Sequence, residues 1–480
     1  MTKKYLLSMV AITALSISAM GAENSVEQKK SENSFLDDLS IDGFIRYRIQ
    51  QFDGWNQKAY GENGSQVLTD KGFTSKTDDT ASLIQLVAGV TYTPTNDITV
   101  KFNMKDSRTH GWSLSQENPG NKNTPGKDLW EKDEGYVMNS QEEYYEVNDA
   151  FVEVKNLFTD GLTAKVGRQS IRFGDNRIFG PGENGNTGRW RWDAAKFDYK
   201  WDKNFVSIWY GGTKVHNPET SSFPDDHEYR GIGFYSHFQT TKTGAVEPFY
   251  ASRKSTSELF SGKDGVKGKR DNFWVGARVY DKDVFNFYYD VTYAHMGGEQ
   301  ANVDTDAFGY AATIGYKFKS IPSKPMFDYS RIYASGEKGG LSDGEQSKFD
   351  FAYGSNDRVF GWMNIVSWSN IIDDEFKVTF KPTDKLKIAV DHHFYKLAEA
   401  EQGMTALGKI GAGGANLGAD DVGQESNIEI VYKYRKDLVF KAWAAYFTPG
   451  DAIKNDTKKG DTNNASWVAL QAQYYFNTKL

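Results

Sequence analysis

The chain lacks cysteine altogether, and only 11 of its 480 residues are proline. The absence of cysteine excludes disulfide scaffolds, cysteine zinc sites and thiol nucleophiles. A basic surplus is missing as well, since 57 basic residues face 64 acidic ones and the net charge is -7. Nucleic acid is therefore not the expected partner. Aromatic residues, in contrast, make up 15% of the chain, which argues against a disordered protein.

Long apolar runs are confined to the N-terminus. Lys3 and Lys4 precede an apolar segment over residues 5–20, which ends in a small-residue cleavage site. We predict a cleaved signal peptide over 1–21 and a polar periplasmic lead-in over 22–38, so the protein is exported. A membrane anchor helix is the alternative, but the apolar segment is too short to span a bilayer comfortably. No later segment approaches the ~20 apolar residues of a transmembrane helix.

The rest of the chain alternates apolar and polar side chains. In the first such segment Ile45 and Tyr47 fall on one face, and Arg46 and Arg48 fall on the other. A period of two predicts strands with one apolar face. We predict about 18 strands. They cover residues 40–52, 82–93, 97–108, 144–157, 162–174, 193–201, 204–213, 230–240, 244–254, 271–281, 284–296, 306–319, 324–335, 373–382, 385–397, 426–436, 438–448 and 465–477.

The connections between these strands alternate in length. Tight turns such as WDKN at 201–204 follow long polar loops such as 109–143 and 175–192. Outer-membrane barrels require this asymmetry, because their periplasmic turns are short and their extracellular loops are elaborated. A soluble β-sandwich has no reason to alternate so strictly. The sequence therefore predicts an all-β, transmembrane antiparallel barrel over 39–480 in the outer membrane of a bacterium.

The polar face of each strand is expected to line the lumen. The last strand closes on the first, so the predicted strands 17, 18, 1, 2 and 3 form one arc. Its inward cations are Arg46, Arg48, Lys101, Lys105 and Lys441. No mid-strand acid falls on that arc, so we predict that these cations lack an acidic partner within it. Inward acids occur elsewhere, at Asp149, Glu153, Asp198, Asp290, Asp373, Glu375 and Asp391. We predict a polarised lumen with mild anion preference; the alternative is that the long cations act as solvated wall.

Two loops carry further signals. Arg168, Arg172, Asp175 and Arg177 lie where a strand runs into the loop 175–192. They either bind anions at a constriction or form salt bridges that anchor the loop to the wall, and the two roles are compatible. The segment 345–370 is too apolar to stand free in water. We predict that it packs inward and narrows the pore; packing on neighbouring loops or on a partner is the alternative.

Enzymatic and metal-binding readings find little support. The seven histidines are scattered, and the adjacent pair His392 and His393 points to opposite faces of a strand, so it cannot bind one metal. A Ser–His hydrolase of the outer-membrane phospholipase kind, using His295 or His393, is the main enzymatic alternative. An adhesin or purely structural barrel is another, and the acidic loop 451–461 is a weak calcium candidate. We predict no enzyme, no metal and no cofactor.

Three segments carry a family resemblance. The stretch VGRQSIRFGDNRIFG at 166–180 resembles the GRQ-x3-GD-x-R segment of the alginate export family of outer-membrane porins, and residues 360–400 and 423–451 are also similar. The resemblance implies an 18-stranded barrel, favours a monomer, and implies passage of a polyanionic polysaccharide in the family's namesake. We expect a channel for passive passage of hydrophilic, anionic solutes or oligosaccharides. Its expected partners are these solutes, outer-membrane lipid with lipopolysaccharide, and the outer-membrane assembly machinery.

Overall fold

The computed structural model describes most of the chain beyond residue 34. The described residues are 35–55, 78–111, 144–182, 184, 190–214, 227–255, 258, 260–261, 267–338, 345–355, 359–400, 418–455 and 463–479. The predicted signal peptide 1–21 and most of the lead-in 22–38 lie outside these ranges and stay predictions. Among the described residues, no helix is long and apolar enough to cross a membrane.

Eighteen long strands build the described structure. Their bounds are β1 Leu39–Asp53, β2 Asp79–Tyr92, β3 Ile98–His110, β4 Tyr144–Val154, β5 Leu162–Gln169, β6 Trp192–Trp201, β7 Asn204–Lys214, β8 His227–Gln239, β9 Gly244–Ser255, β10 Arg270–Val284, β11 Phe287–Gln300, β12 Ala307–Lys317, β13 Met326–Ala334, β14 Ile371–Thr383, β15 Leu386–Lys396, β16 Asp421–Lys433, β17 Leu438–Pro449 and β18 Ala465–Lys479. The minor elements are a 3₁₀ turn Phe35–Asp38, a short helix Asp451–Lys454, and the short strands Phe260–Ser261, Lys267–Gly268, Val303–Thr305 and Glu345–Gln346.

The sheet closes on itself. Each long strand pairs antiparallel with its neighbours in sequence, and β1 pairs with both β2 and β18. Closure removes the sheet edges and lets the strands satisfy their backbone hydrogen bonds with each other, which is the requirement for crossing lipid. The predicted fold class is confirmed.

Alternation separates an outward from an inward face. On β1 the outward Ile45 is 46% exposed, whereas its neighbour Arg46, on the inward face, is 5% exposed. The outward apolar side chains provide the surface that faces lipid. Inward polar side chains are mostly buried, because other parts of the chain fill much of the lumen.

One predicted strand is shorter than expected. We predicted a strand over 162–174, but β5 ends at Gln169. The chain then turns into the barrel, where the ring of Phe173 stacks on those of Tyr235 and Trp209, with centroids 4.7 and 5.5 Å apart. The apolar residues at the end of the predicted strand therefore face other luminal aromatic rings and not lipid.

Two segments together fill one side of the lumen, and we call them the plug: residues 170–182, and residues 347–370 apart from 356–358, which lie outside the described residues. They touch each other where Tyr353 N donates to Ile178 O at 3.0 Å and where Gly180 N donates to Tyr353 O at 2.9 Å. Aromatic rings from the plug and the wall form its core. They belong to Phe173, Phe179, Trp190, Trp192, Trp209, Tyr229, Tyr235, Phe349, Tyr353 and Trp368.

The plug fits because the wall behind it carries small inward residues. Ala251 on β9, Ala294 on β11 and Ala311 on β12 are all buried. At Gly309, also on β12, a Cβ atom would lie 3.0 Å from the ring of Phe349 and about as close to Trp368. Small residues at these positions leave the volume that the plug's aromatic rings occupy. The described part of 345–370 therefore packs inside the barrel.

Candidate functional site

Open space remains along the opposite side of the lumen. We call this side the seam wall: strands β17, β18, β1, β2, β3 and β4. An inner cavity of about 360 Å³ lies between the seam wall and the plug, and an outer cavity of about 710 Å³ extends it to the end that bears the short turns. The two cavities share the lining residues Phe44, Val87, Asn148, Arg191 and Tyr475. They therefore form one continuous space beside the plug, which we call the passage.

The inner cavity has a predominantly cationic lining. Among the described residues, its cationic lining residues are Arg46, Lys105, Arg172, Arg191 and Lys441, and its acidic ones are Asp175 and Glu429. Each of the two acids has a cation beside it that does not line this cavity. Asp175 Oδ2 accepts from Arg177 Nε at 2.7 Å, and Glu429 Oε2 lies 2.7 Å from Lys387 Nζ. Two of the five cations are paired in the same way, Lys105 with Glu146 and Arg191 with Asp149, so among the described lining residues the cations still outnumber the acids.

The predicted seam cations differ in their partners. Lys101 Nζ lies 2.6 Å from Asp42 Oδ1, so the prediction that the seam cations lack an acidic partner within the arc is wrong for Lys101. Asp42 shares the inward face of β1 with Arg46, but it lies nearer the strand's end than the positions considered from sequence. Lys105 pairs with Glu146 on β4, next to the predicted arc. The sequence reading had named Asp149 and Glu153 on β4 but not Glu146.

Arg46 and Arg48 join the seam wall to the loop 175–192. Arg46 Nη1 donates to Asn184 O at 3.3 Å, and Arg48 Nη2 donates to the same oxygen at 2.8 Å. Arg48 Nε also donates to Gln471 Oε1 at 2.9 Å. The loop that these two arginines bind therefore borders the passage at the height of Arg46 and Arg48. Residues 183 and 185–189 of that loop lie outside the described residues.

The predicted acidic wall is largely paired. Asp149 accepts from Arg191 at 3.1 Å and Asp290 accepts from Arg278 Nε at 2.8 Å. Glu153 lies 2.8 Å from Lys165, and Asp391 lies 3.5 Å from Lys377 Nζ. Because these acids have cations beside them, they oppose the basic lining less than the sequence suggested. Lys101 and Asp149 line the outer cavity, whereas Arg48, Glu153, Asp290 and Asp391 line neither cavity.

The four charged residues at the predicted loop anchor do not form one cluster. Arg168 is fully buried and binds Asp193 on β6 through two hydrogen bonds of 2.8 Å. Arg177 pairs with Asp175, while Arg172 lines the inner cavity. Arg168 thus joins β5 to β6, a contact that sequence reasoning missed because it did not consider Asp193 as a partner. The salt bridge of Arg168 joins two strands of the wall and does not anchor the loop, and anion binding at Arg172 stays a prediction.

Among other contacts, two clusters of hydrogen bonds fix the plug to the barrel wall, and sequence reasoning did not find them. In the first, the Asp350 clamp, Arg253 and Arg270 donate to Asp350 Oδ2 at 3.0 and 2.9 Å, and Trp274 Nε1 donates to Asp350 O at 2.7 Å. The apolar composition of 345–370 indicated burial but did not identify these partners.

In the second, the Glu425 clamp, Met363 N donates to Glu425 Oε1 at 3.0 Å and Tyr395 donates its hydroxyl proton to Phe360 O at 3.1 Å. Glu425 lies on β16 and Tyr395 on β15. The first clamp lies near the start of the plug's second segment, and the second clamp lies in its later half.

The candidate enzymatic histidines have other partners. His393 lies 3.0 Å from Asp373 and 3.2 Å from Asp391. Glu375, Asp391 and His393 offer ligand atoms within 4.8 Å of one another, but Lys377 Nζ lies 3.0 Å from Glu375 and 3.5 Å from Asp391. An ammonium group between two carboxylates makes this an ion-pair network and a poor metal site.

His295 lies on β11, 3.5 Å from Asp306, and shares the outward face with Tyr293. In the described part of the chain, neither His295 nor His393 hydrogen-bonds a serine. The serine that contacts a histidine there is Ser426, whose hydroxyl lies 2.8 Å from His392 Nδ1. Ser426 and His392 both lie on the outward face of the barrel, so this pair does not correspond to the hydrolase alternative, which used His295 or His393.

Solved structures share this architecture. OccK11 (OpdR) of Pseudomonas aeruginosa aligns with a TM-score of 0.56 at 10% identity, over 94% of this chain and 100% of that one. OccAB2 of Acinetobacter baumannii gives 0.57 at 12% identity, over 93% and 100%. OpdK of Pseudomonas aeruginosa, solved with vanillate, gives 0.56 at 11% identity, over 93% and 100%. At these identities the likeness concerns the fold.

The comparison with family models shows the family as well as the fold. The model of the family described as alginate export matches residues 64–468. The comparison with curated proteins gives no match. The matched region includes the three segments that carried the resemblance in sequence, the seam strand β2 and the whole plug. Because the match spans most of the chain, and the strands close into an 18-stranded barrel, the protein belongs to the alginate export family of outer-membrane β-barrels.

Proposed function

We propose that the protein is a porin through which small anionic solutes diffuse passively, along the passage beside the seam wall. The observation that carries the proposal is the lining of the inner cavity, where cations outnumber acids and both acids have cationic partners of their own. A family and fold of this kind favour a channel over an enzyme. Membership of the family does not by itself identify the solute, because proteins of one fold and family can carry different substrates.

The mechanism follows from the construction of the barrel. The outward apolar face contacts lipid, and the inward face encloses water beside the plug. A solute that enters the inner cavity exchanges part of its hydration for contacts with Arg46, Arg172 and Lys441. In a confined space with low-dielectric walls, this charge raises the local concentration of anions. The effect weakens with salt, because the Debye length falls from about 10 Å at 0.1 M to about 3 Å at 1 M.

The size of the passage supports small solutes. The inner cavity of about 360 Å³ lies in the range that accommodates one small molecule. Both clamps hold the plug in place, so the remaining lumen does not contribute to the passage. We therefore favour small anions and single sugar-sized units as the diffusing species. Contacts with the outer-membrane assembly machinery and with lipopolysaccharide stay predictions.

Reversal potentials in planar bilayers test the proposal. With a potassium chloride gradient at low salt, we expect anion preference that falls in the Arg46→Glu/Arg48→Glu variant. Since these arginines also hold Asn184, the variant Lys441→Glu provides a second test from another strand. Lys254→Glu is the matched control, because Lys254 lies on the outward face and is 62% exposed. Cation preference in the unmodified protein, or no shift in either luminal variant, would refute the proposal.

A further inference from the structure

Two aromatic side chains face each other where the inner and outer cavities meet. Phe44 on β1 lies directly opposite Tyr475 on β18, and their ring centroids are 5.9 Å apart with an interplanar angle of 54°. Both residues line both cavities. A solute that passes from one cavity to the other therefore moves past this pair.

Tyr475 is unusual among the described strand residues. The other large apolar side chains that are exposed on those strands point outward, to the lipid. Tyr475 alternates with Gln473, so it points into the lumen, yet it is 45% exposed. Exposed apolar surface in a water-filled passage has an unfavourable hydration free energy, and in proteins such surface commonly marks a binding site.

The inward tryptophans on β17 and on β18 itself are buried, unlike Tyr475. Trp443 on β17 and Trp467 on β18 are 2% and 3% exposed. The ring of Trp443 lies 5.4 Å from that of Trp362 in the plug, so the plug covers it. Packing against the plug explains the burial of Trp443, and Trp467 packs on Trp443 with ring centroids 6.1 Å apart. It does not explain Tyr475, whose ring faces the junction of the two cavities.

Charged groups flank the aromatic pair along the strands. Arg46 lies opposite Gln473, two residues from the pair and about 7 Å along β1 toward the inner cavity. On the other side, Asp42 holds Lys101 in an ion pair. An aromatic face binds the flat or C–H face of a ring, and a guanidinium group binds a carboxylate. The two kinds of contact are thus available to one solute at the same time.

We propose that Phe44 and Tyr475 form a ring-binding subsite for cyclic carboxylates, with Arg46 facing the carboxylate. The proposal rests on the anion passage proposed above and narrows its substrate class to acids that carry a ring, whether a sugar or an aromatic ring. An acyclic acid of equal charge contacts the cations but gains nothing from the rings. Discrimination between cyclic and acyclic acids is the property that the pair adds.

Inhibition of the chloride current tests the subsite in bilayers. Benzoate and glucuronate provide an aromatic and a sugar ring, and gluconate provides an acyclic control with the same charge. We expect at least one cyclic acid to inhibit at a concentration about threefold to tenfold below that of gluconate, the range expected for one ring contact. Whichever of the two is favoured identifies the kind of ring. Equal inhibition by all three acids would overturn the proposal.

Variants separate the ring contact from charge. In Tyr475→Ala and in Phe44→Ala the preference for the cyclic acid should disappear, and in Tyr475→Phe it should persist. Tyr474→Ala is the matched control, because the neighbouring Tyr474 points outward to lipid. A preference that survives both alanine variants would also overturn the proposal. The reversal potential of each channel reports anion preference separately, so failure of the anion passage is distinguishable from failure of the subsite.

Discussion

The seam wall and the wall behind the plug have the same strand pattern, but their inward charges have different neighbours. Both alternate apolar outward and polar inward side chains. On the plug's side, inward arginines such as Arg253 and Arg270 hold Asp350. On the seam side, inward cations such as Lys441 line open space. The two walls differ because one faces the plug and the other faces open space. The strands of the barrel provide inward polar side chains, and the segments inside the lumen determine which of these side chains can contact solute.

The largest effect should come from removing the plug's second segment. Replacing 347–370 with a short turn reduces the difference between the two walls, because the part of the wall that this segment covers then faces water. We expect conductance to rise several-fold while the barrel stays folded, since the strand pairing around the sheet does not depend on this segment. Single-channel conductance measures the first, and a heat-dependent shift in gel mobility checks the second. Unchanged conductance in a folded barrel would show that the plug does not limit the pore.

A smaller effect should follow from breaking the Asp350 clamp alone. In Asp350→Ala, Arg253 and Arg270 stay buried without their shared carboxylate. Both guanidinium groups are buried but Asp350 is 30% exposed, so the expected cost of removing it is about 1 to 3 kcal/mol, between the values for exposed and buried pairs. We expect a lower midpoint of thermal unfolding and larger current fluctuations.

The control for that clamp is Asp271→Ala. Asp271 pairs with Lys254 on the outward face, where the two side chains are 55% and 62% exposed. Exposed pairs contribute less than about 1 kcal/mol. Equal destabilisation by Asp350→Ala and Asp271→Ala would contradict the view that the clamp fixes the plug.

The smallest effect concerns the short turn between β16 and β17. Arg435 donates to Asp437 at 2.9 and 2.7 Å, and this contact holds the pKa of Asp437 below its usual range. A lowered pKa means that the contribution to stability is present at neutral pH and is lost as the pH falls through that lowered value. Because both groups are in water, we expect Asp437→Asn to leave unfolding near pH 7 almost unchanged. A large shift in its unfolding midpoint would contradict this.

The barrel was largely predictable from sequence, because strand periodicity is local. Ile45 and Arg46 occupy opposite faces by alternation alone, and the structure places them so. The partners of the luminal charges were not predictable. Arg253 and Asp350 are 97 residues apart, and nothing in either segment identifies the other. Asp42 was missed for a different reason, since it lies near a strand end but still reaches Lys101.

The central claim is that solute moves along the seam wall and not through the plug's side, and the absence of native cysteine allows a direct test. Gln473→Cys places a thiol in the inner cavity, and Ser207→Cys places one on β7, where Ser207 is fully buried. We would add a charged methanethiosulfonate reagent to open channels and record the current. The account predicts rapid, lasting block at Gln473→Cys and none at Ser207→Cys. Block at Ser207→Cys with none at Gln473→Cys would place the passage on the other side of the lumen.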